Sequence, residues 1–169
     1  LGSVLDGGEC EFGLESTILD LSSPQRPAVL RLGPIDVQEL ERALGHEIAI
    51  KAGVMEEASK ESGLLAPGSL AKHYSPKARL NLHRHGNPQN SLAEPQQDIA
   101  FLHYQRPPDQ GNNFWLSEDG NAMEAGKNLY NILRNLDKAG FRRIEAEMAP
   151  SGGIGDAIND RLRRAAAKG

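Results

Sequence analysis

The stretch from Asn121 to Ala139 constrains the fold most, because Ala122, Ala125, Leu129, Ile132, Leu133 and Leu136 recur at helical spacing and make one apolar stripe. Gly140 follows directly and ends that helix. A helix apolar on one side must bury that side against another layer. The residues around it offer strands: Ile99 to Tyr104 and Phe114 to Leu116 before it, Arg143 to Met148 after it, and the alternating Leu80 and Leu82 further upstream. A Gly-rich turn and a last helix bearing Ile158, Leu162 and Ala165 follow. Strand, helix, strand, helix in this order predicts a small parallel, Rossmann-like α/β domain over residues 79–169. No internal repeat is present.

The first fifty residues read differently. Leu14 to Leu21 and Ala28 to Leu32 are short β-favouring runs bounded by Gly, Ser and Pro, which predicts a hairpin. After Gly33-Pro34, Asp36 caps a helix with Glu39 three residues on, Val37, Leu40 and Leu44 share a face, and Gly45 stops it. These elements are too few to close a core, so residues 1–50 read as the C-terminal piece of an α/β domain that starts upstream. From Gly53 to Pro76 the composition turns to Gly, Ser, Glu and Lys with little periodicity, which places a linker over residues 51–78. A polar loop is expected from Asn87 to Gln97.

With 38% hydrophobic and 25% charged residues, the composition is that of a soluble globular protein. No apolar run approaches the roughly 20 residues of a bilayer span, so no membrane partner is expected. Residues 1–8 lack the basic start and apolar stretch of a signal peptide, and a single cysteine excludes an internal disulfide framework, which together predict a cytoplasmic protein. Cys10 lies in no nucleophile pattern and reads as a structural thiol. Acids outnumber bases up to Ala78, whereas the second part is nearly balanced and carries Arg134, Arg142, Arg143, Arg161, Arg163, Arg164 and Lys168. These could form a patch for RNA phosphates. Arginines along a helix are more often a solvated face, however, and no aromatic residues are interleaved to stack bases.

Three segments carry candidate chemistry: Gly13-Leu14-Glu15-Ser16-Thr17-Ile18-Leu19-Asp20, Val29-Leu30-Arg31-Leu32-Gly33 and Ala66-Pro67-Gly68-Ser69-Leu70-Ala71-Lys72-His73-Tyr74-Ser75-Pro76. Singly each has a plain structural reading: an edge-strand hydroxyl pair, a surface arginine, a loop anchor. Together they suit an anionic small molecule. Hydroxyls on a strand can bind a carboxylate or amine, an arginine beside a glycine turn can fork onto phosphate oxygens, and a tyrosine on a linker can close the mouth of the site. Gly152-Gly153-Ile154-Gly155 could cradle a phosphate but lacks the Lys and Ser or Thr of a P-loop, so it reads as a tight start to the last helix. His83 and His85 would share a strand face, but with no Cys or acidic partner at ligand spacing they read as surface histidines.

These three segments, in this order, resemble the threonine- and ATP-binding end of YrdC-like domains followed by the linker of the two-domain L-threonylcarbamoyladenylate synthases. The tail is similar to that family's C-terminal domain, through Asn128-Leu129-Tyr130, Leu133-Arg134-Asn135-Leu136-Asp137 and Gly153-Ile154-Gly155-Asp156-Ala157-Ile158-Asn159-Asp160-Arg161-Leu162. The resemblance implies that Ser16 contacts L-threonine, that Arg31 holds ATP phosphates and that Tyr74 covers the nucleotide from the linker. It implies synthesis of threonylcarbamoyl-AMP from L-threonine, bicarbonate and ATP, with magnesium balancing the phosphate charge, as the first step of tRNA threonylcarbamoyladenosine modification. It assigns no catalytic side chain and no protein-held metal. The family's N-terminal basic segment is absent from these 169 residues, so the chain alone is expected to be inactive. The rival reading is a non-enzymatic module in which the last domain docks a nucleotide, RNA or a protein of the tRNA-modification pathway through Arg134 to Lys168.

Overall fold

A computed structural model describes residues 2–8, 10–52, 75–84, 97–108 and 111–167. The β-favouring runs near the start form β1 (Ile18–Asp20) and β2 (Ala28–Arg31), paired antiparallel with Leu19 opposite Val29, as the hairpin reading expects. β1 is shorter than the run Leu14 to Leu21, because residues 13–15 turn aside to lie on a later helix. Asp36 caps α1 (Val37–Leu44) by accepting from the Gln38 N–H at 3.1 Å, and Gly45 closes it with φ 77°, a left-handed conformation that glycine adopts without a Cβ clash. The crossover returns the chain to β3 (Ala49–Ile50), two residues parallel to β2 that the sequence pattern does not signal. No residue of α1 is buried, although Val37, Leu40 and Leu44 are half-covered.

The second half is the parallel domain that the helix stripe demands. Strands β4 (Arg79–His83), β5 (Ile99–Gln105), β6 (Asn113–Ser117) and β7 (Arg143–Glu147) lie in the order β4-β7-β5-β6, every neighbouring pair parallel. Helix α2 (Ala122–Ala139) joins β6 to β7, and α3 (Ile154–Ala166) follows β7. Asn121 starts α2 by accepting from the Met123 and Glu124 N–H groups, and Gly140 ends it at φ 82°. Its buried residues, Ala125, Gly126, Leu129, Leu133 and Leu136, follow the stripe. They meet Leu80, Ala100, Leu102, Leu116, Ile144 and Ala146 from the sheet and Ile158, Leu162 and Ala165 from α3 in one core. The parallel register, with Leu80 and Ala100 both beside Ile144, puts these side chains on the face toward the helices.

The other face buries polar groups beside the apolar Ile99 and Phe101. Glu145 accepts from Asn81 Nδ2 at 2.9 Å, meets His83 Nε2 at 2.5 Å, and has Arg143 Nε 2.9 Å away in a charge contact without a directed hydrogen bond. His83 is therefore no surface histidine: its side chain is 24% exposed and belongs to this cluster, because β4 borders β7 and register brings it beside an acid remote in sequence. His85, the loop Asn87 to Gln97 apart from its last residue, and linker residues 53–74 lie outside the described residues. Where description resumes, Ser75 Oγ donates to the Ala165 carbonyl at 2.9 Å, the Lys77 N–H donates to Asp137 at 2.8 Å, and Ala78 is already in the core.

Leu129 is fully buried at the centre of this packing. Leu129→Ala is expected to lower the unfolding free energy by about 2–5 kcal/mol in urea denaturation, against about 0.5 kcal/mol or less for Met123→Ala on the open side of the same helix.

Candidate functional site

Two of the three residues singled out from sequence come together. Antiparallel pairing of β1 with β2 sets Ile18 opposite Arg31, and the arginine reaches back to Ser16. Its Nε donates to the Ser16 carbonyl and its Nη2 to Ser16 Oγ, both at 2.9 Å. A hydroxyl that accepts from a guanidinium keeps its own O–H to donate, so Ser16 offers a hydrogen-bond donor beside a fixed positive charge. Ser16 is exposed and Arg31 half-buried, which leaves the pair open to a ligand.

The backbone around the pair is held tightly. Thr17 Oγ1 donates to the Ile35 carbonyl and accepts from the Ile35 N–H, each at 3.1 Å. Gly33 passes so close that a Cβ there would overlap the Thr17 nitrogen and stand 2.6 Å from the Glu15 oxygen and the Ser16 carbonyl carbon. The glycine after Arg31 is thus a packing requirement: any side chain would push the Ser16 segment away. Tyr74, the third candidate, lies outside the described residues.

Behind this pair runs a seam to the parallel domain. Gly13, at φ 63°, approaches α2 so closely that a Cβ would stand 2.5 Å from the Lys127 Cα, and Leu14 packs over Gly126. Glu15 then enters a charged cluster. Arg161 Nε donates to Glu15 Oε2 at 2.8 Å, Tyr130 Oη donates to the same carboxylate at 3.3 Å, and Asp160 accepts from Arg161 Nη1 at 2.5 Å and from Arg164 Nε at 2.9 Å. The Arg161 side chain is 4% exposed. Burial alone would raise the Glu15 carboxyl, but the hydrogen bond and charge of Arg161, with a smaller contribution from Arg31, hold it below its ordinary value of 4.5. Burial and the Glu15 charge push the Tyr130 hydroxyl up to about 12, so it remains a donor. Burial opposes the Arg161 charge, yet its bonds to Glu15 and the nearby Asp160 raise it overall.

The basic set of the rival reading is dispersed by the fold. Arg161 and Arg164 are in the buried cluster, Arg143 is against Glu145, and Arg142 lies 3.9 Å from Asp98. Arg134 and Arg163 remain exposed, and Lys168 lies outside the described residues. Arg163 does line a cleft of about 570 Å³ at the carboxyl ends of β4, β5 and β7, with Arg84, Tyr104, Glu147 and Ser151. Ligands of parallel sheets commonly bind at such a place, where strand order reverses. Here the Glu147 carboxylate shares the space with the arginines, and the glycine turn, with Gly152 at φ 107° and Gly153 at φ 55°, makes the tight helix start expected from sequence. Gly155 presses against the Pro150 carbonyl, and Asn159 bonds both the N–H and the carbonyl of Ala149. Cys10, read as a structural thiol, is exposed.

Glu15 and Arg161 were not among the site residues expected from sequence. A signal existed: Arg161 follows Ile158 by three residues and precedes Ala165 by four, at the edge of the stripe that α3 buries.

Fold and site together define a class: an α/β chain in which the Ser16 hydroxyl, just before β1, and the Arg31 guanidinium, at the end of β2, are docked on a small parallel domain. Residues 35–167 match the family model for the C-terminal domain of threonylcarbamoyl-AMP synthase, and the chain belongs to that family. It is 28% identical to the threonylcarbamoyl-AMP synthase of Pyrococcus abyssi, over 96% of this chain and 48% of that protein. It is 29% identical to the Bacillus subtilis enzyme of the same name, over 98% and 49%. Its structure matches the crystal structure of P. abyssi Sua5 complexed with L-threonine at a TM-score of 0.71 and 26% identity, over 96% of this chain and 48% of that one. The chain thus spans about half the length of the curated relatives it matches.

A depressed carboxylate stabilises the fold above its unfolded pKa and loses that contribution as pH falls through the folded one. The stability difference between wild type and Glu15→Gln is therefore expected to be constant, at about 1–2 kcal/mol for this partly exposed ion pair, above pH ~5.5. It should shrink as pH falls below 4.5, as urea unfolding across the acid range would show.

Proposed function

We propose that this chain supplies the Ser16–Arg31 edge of the substrate site and the C-terminal domain of a threonylcarbamoyl-AMP synthase. The longer protein would join L-threonine, bicarbonate and ATP. The threonine amine and bicarbonate form a carbamate with loss of water. A carbamate oxygen then attacks the α-phosphorus, breaking its bond to the β-phosphate bridge and releasing pyrophosphate. Threonylcarbamoyl-AMP is the donor for tRNA threonylcarbamoyladenosine, which makes tRNA-modification proteins the natural partners and the cytoplasm the natural location. Among the described residues no helix is long and apolar enough to cross a membrane.

The observation that carries this reading is the bond between Arg31 and Ser16, which sets a cation and a hydroxyl donor on one rigid edge. The L-threonine bound by the similar P. abyssi protein supports a threonine site in the longer protein, and this reading assigns Ser16 to threonine and Arg31 to the ATP phosphates. Tyr74 is assigned to cover the nucleotide. Such a transfer needs in-line positioning and charge stabilisation rather than a covalent nucleophile. In this reading magnesium would accompany ATP and balance its phosphate charge.

The test is pyrophosphate release from ATP with L-threonine and bicarbonate. The 169-residue chain should be inactive, and a longer version with the half of its relatives' length that it does not span should be active. In that version Ser16→Ala should raise the KM for L-threonine and Arg31→Ala the KM for ATP, each about 10-fold or more, as for a lost hydrogen bond to a charged group. Unchanged KM values in both variants would exclude the assignment.

A further inference from the structure

We propose that Arg161, a residue of the C-terminal domain, is a positioning residue for the substrate site: it sets the spacing of Ser16 and Arg31 by gripping the chain at Glu15 and at Leu32. The inference rests on the reading of Ser16 and Arg31 given above and extends it to the partner domain.

Glu15 immediately precedes Ser16, and Leu32 immediately follows Arg31. Arg161 Nε donates to Glu15 Oε2 at 2.8 Å, and its Nη2 donates to the Leu32 carbonyl at 2.9 Å. One planar group thus holds both segments of the site, while Nη1 is fixed by Asp160 at 2.5 Å. All three guanidinium nitrogens are committed and the side chain is almost fully buried, so its position is set by α3 and not by solvent. The fork is rigid, so a displacement of α3 passes to both segments together. Arg164 provides an internal comparison: it shares Asp160 at 2.9 Å, but no bond of its own to residues 13–35 accompanies that contact. The cluster pairs two guanidinium groups with two carboxylates, and this charge balance makes its burial tolerable.

Support from the C-terminal domain therefore reaches the substrate edge through the last helix directly, in addition to any role of the linker. A strut that only joined two domains would need neither Leu32 nor the residue next to Ser16. The same link is reciprocal: a ligand that orders Ser16 and Arg31 tightens the seam.

The experiment compares Arg161→Lys with Arg164→Lys in the longer protein. A lysine keeps the charge but cannot fork to Glu15 and Leu32 at once. Arg161→Lys should raise the KM for both L-threonine and ATP about tenfold or more, the scale of a small misplacement of reacting groups, while Arg164→Lys leaves both KM values within about twofold. Equal KM effects from both variants, or none from Arg161→Lys, would overturn the proposal. Hydrogen exchange gives a readout independent of activity: amides of residues 15–17 and of Leu32, Gly33 and Ile35 should exchange faster in Arg161→Lys than in Arg164→Lys, with residues 28–30 unchanged. If Arg161→Lys does not fold, Glu15→Gln is the second variant, and unaltered exchange at 15–17 in it would refute the proposal. A wild-type longer protein that releases no pyrophosphate would count against the proposed function alone, since the exchange measurement still decides the grip of Arg161.

Discussion

A guanidinium buried between two structural units is stable only if each of its nitrogens finds an acceptor and its charge is balanced nearby. Arg161 meets both conditions with Asp160 on its own helix, Glu15 across the seam and the Leu32 carbonyl. Much of the molecule is arranged to make this possible. Gly13 and Gly126 let the chain before Glu15 lie close on α2, and Gly33 lets the chain after Arg31 close against Thr17. Removing Arg161 would leave a carboxylate partly buried with its principal charge partner gone, so each unit constrains the other.

The parallel domain gives this arrangement its stiffness. Its strands are buried on the helix side by a single core, and α3 lies with its apolar residues in that core and Arg161 toward the first unit. Asn159 fixes the turn that starts α3 by bonding both backbone groups of Ala149, at the level of the helix that carries Asp160 and Arg161. The position of the Arg161 fork is therefore inherited from sheet packing, and the first unit, with its short strands and its half-covered helix α1, is anchored where it meets the second.

Much of this was legible in sequence because it depends on local periodicity. The α2 stripe, the caps at Asn121 and Gly140, the Asp36 cap and the Gly45 stop follow from neighbours within a few residues. The hairpin was legible for the same reason, although β1 proved shorter than its apolar run. β3 was not, because two residues of strand carry no period and exist only through pairing with β2. His83 reads as a surface residue until β7 is placed beside β4 and brings Glu145 within reach. The arginines of the last helices likewise look alike in sequence, although some are buried in ion pairs and others remain in solvent.

The chain's sequence by itself determined its elements apart from β3, their order, its family resemblance and the candidates Ser16 and Arg31, since hydrophobic period, turn residues and motif spacing are properties of short segments. Only the tertiary structure decided that Arg31 rests on Ser16, and that Glu15 and Leu32 end on one guanidinium 129 residues beyond the latter. Which face of a helix is buried against which partner, and which charge is thereby neutralised, depends on contacts between segments far apart in the chain. No local pattern encodes those contacts.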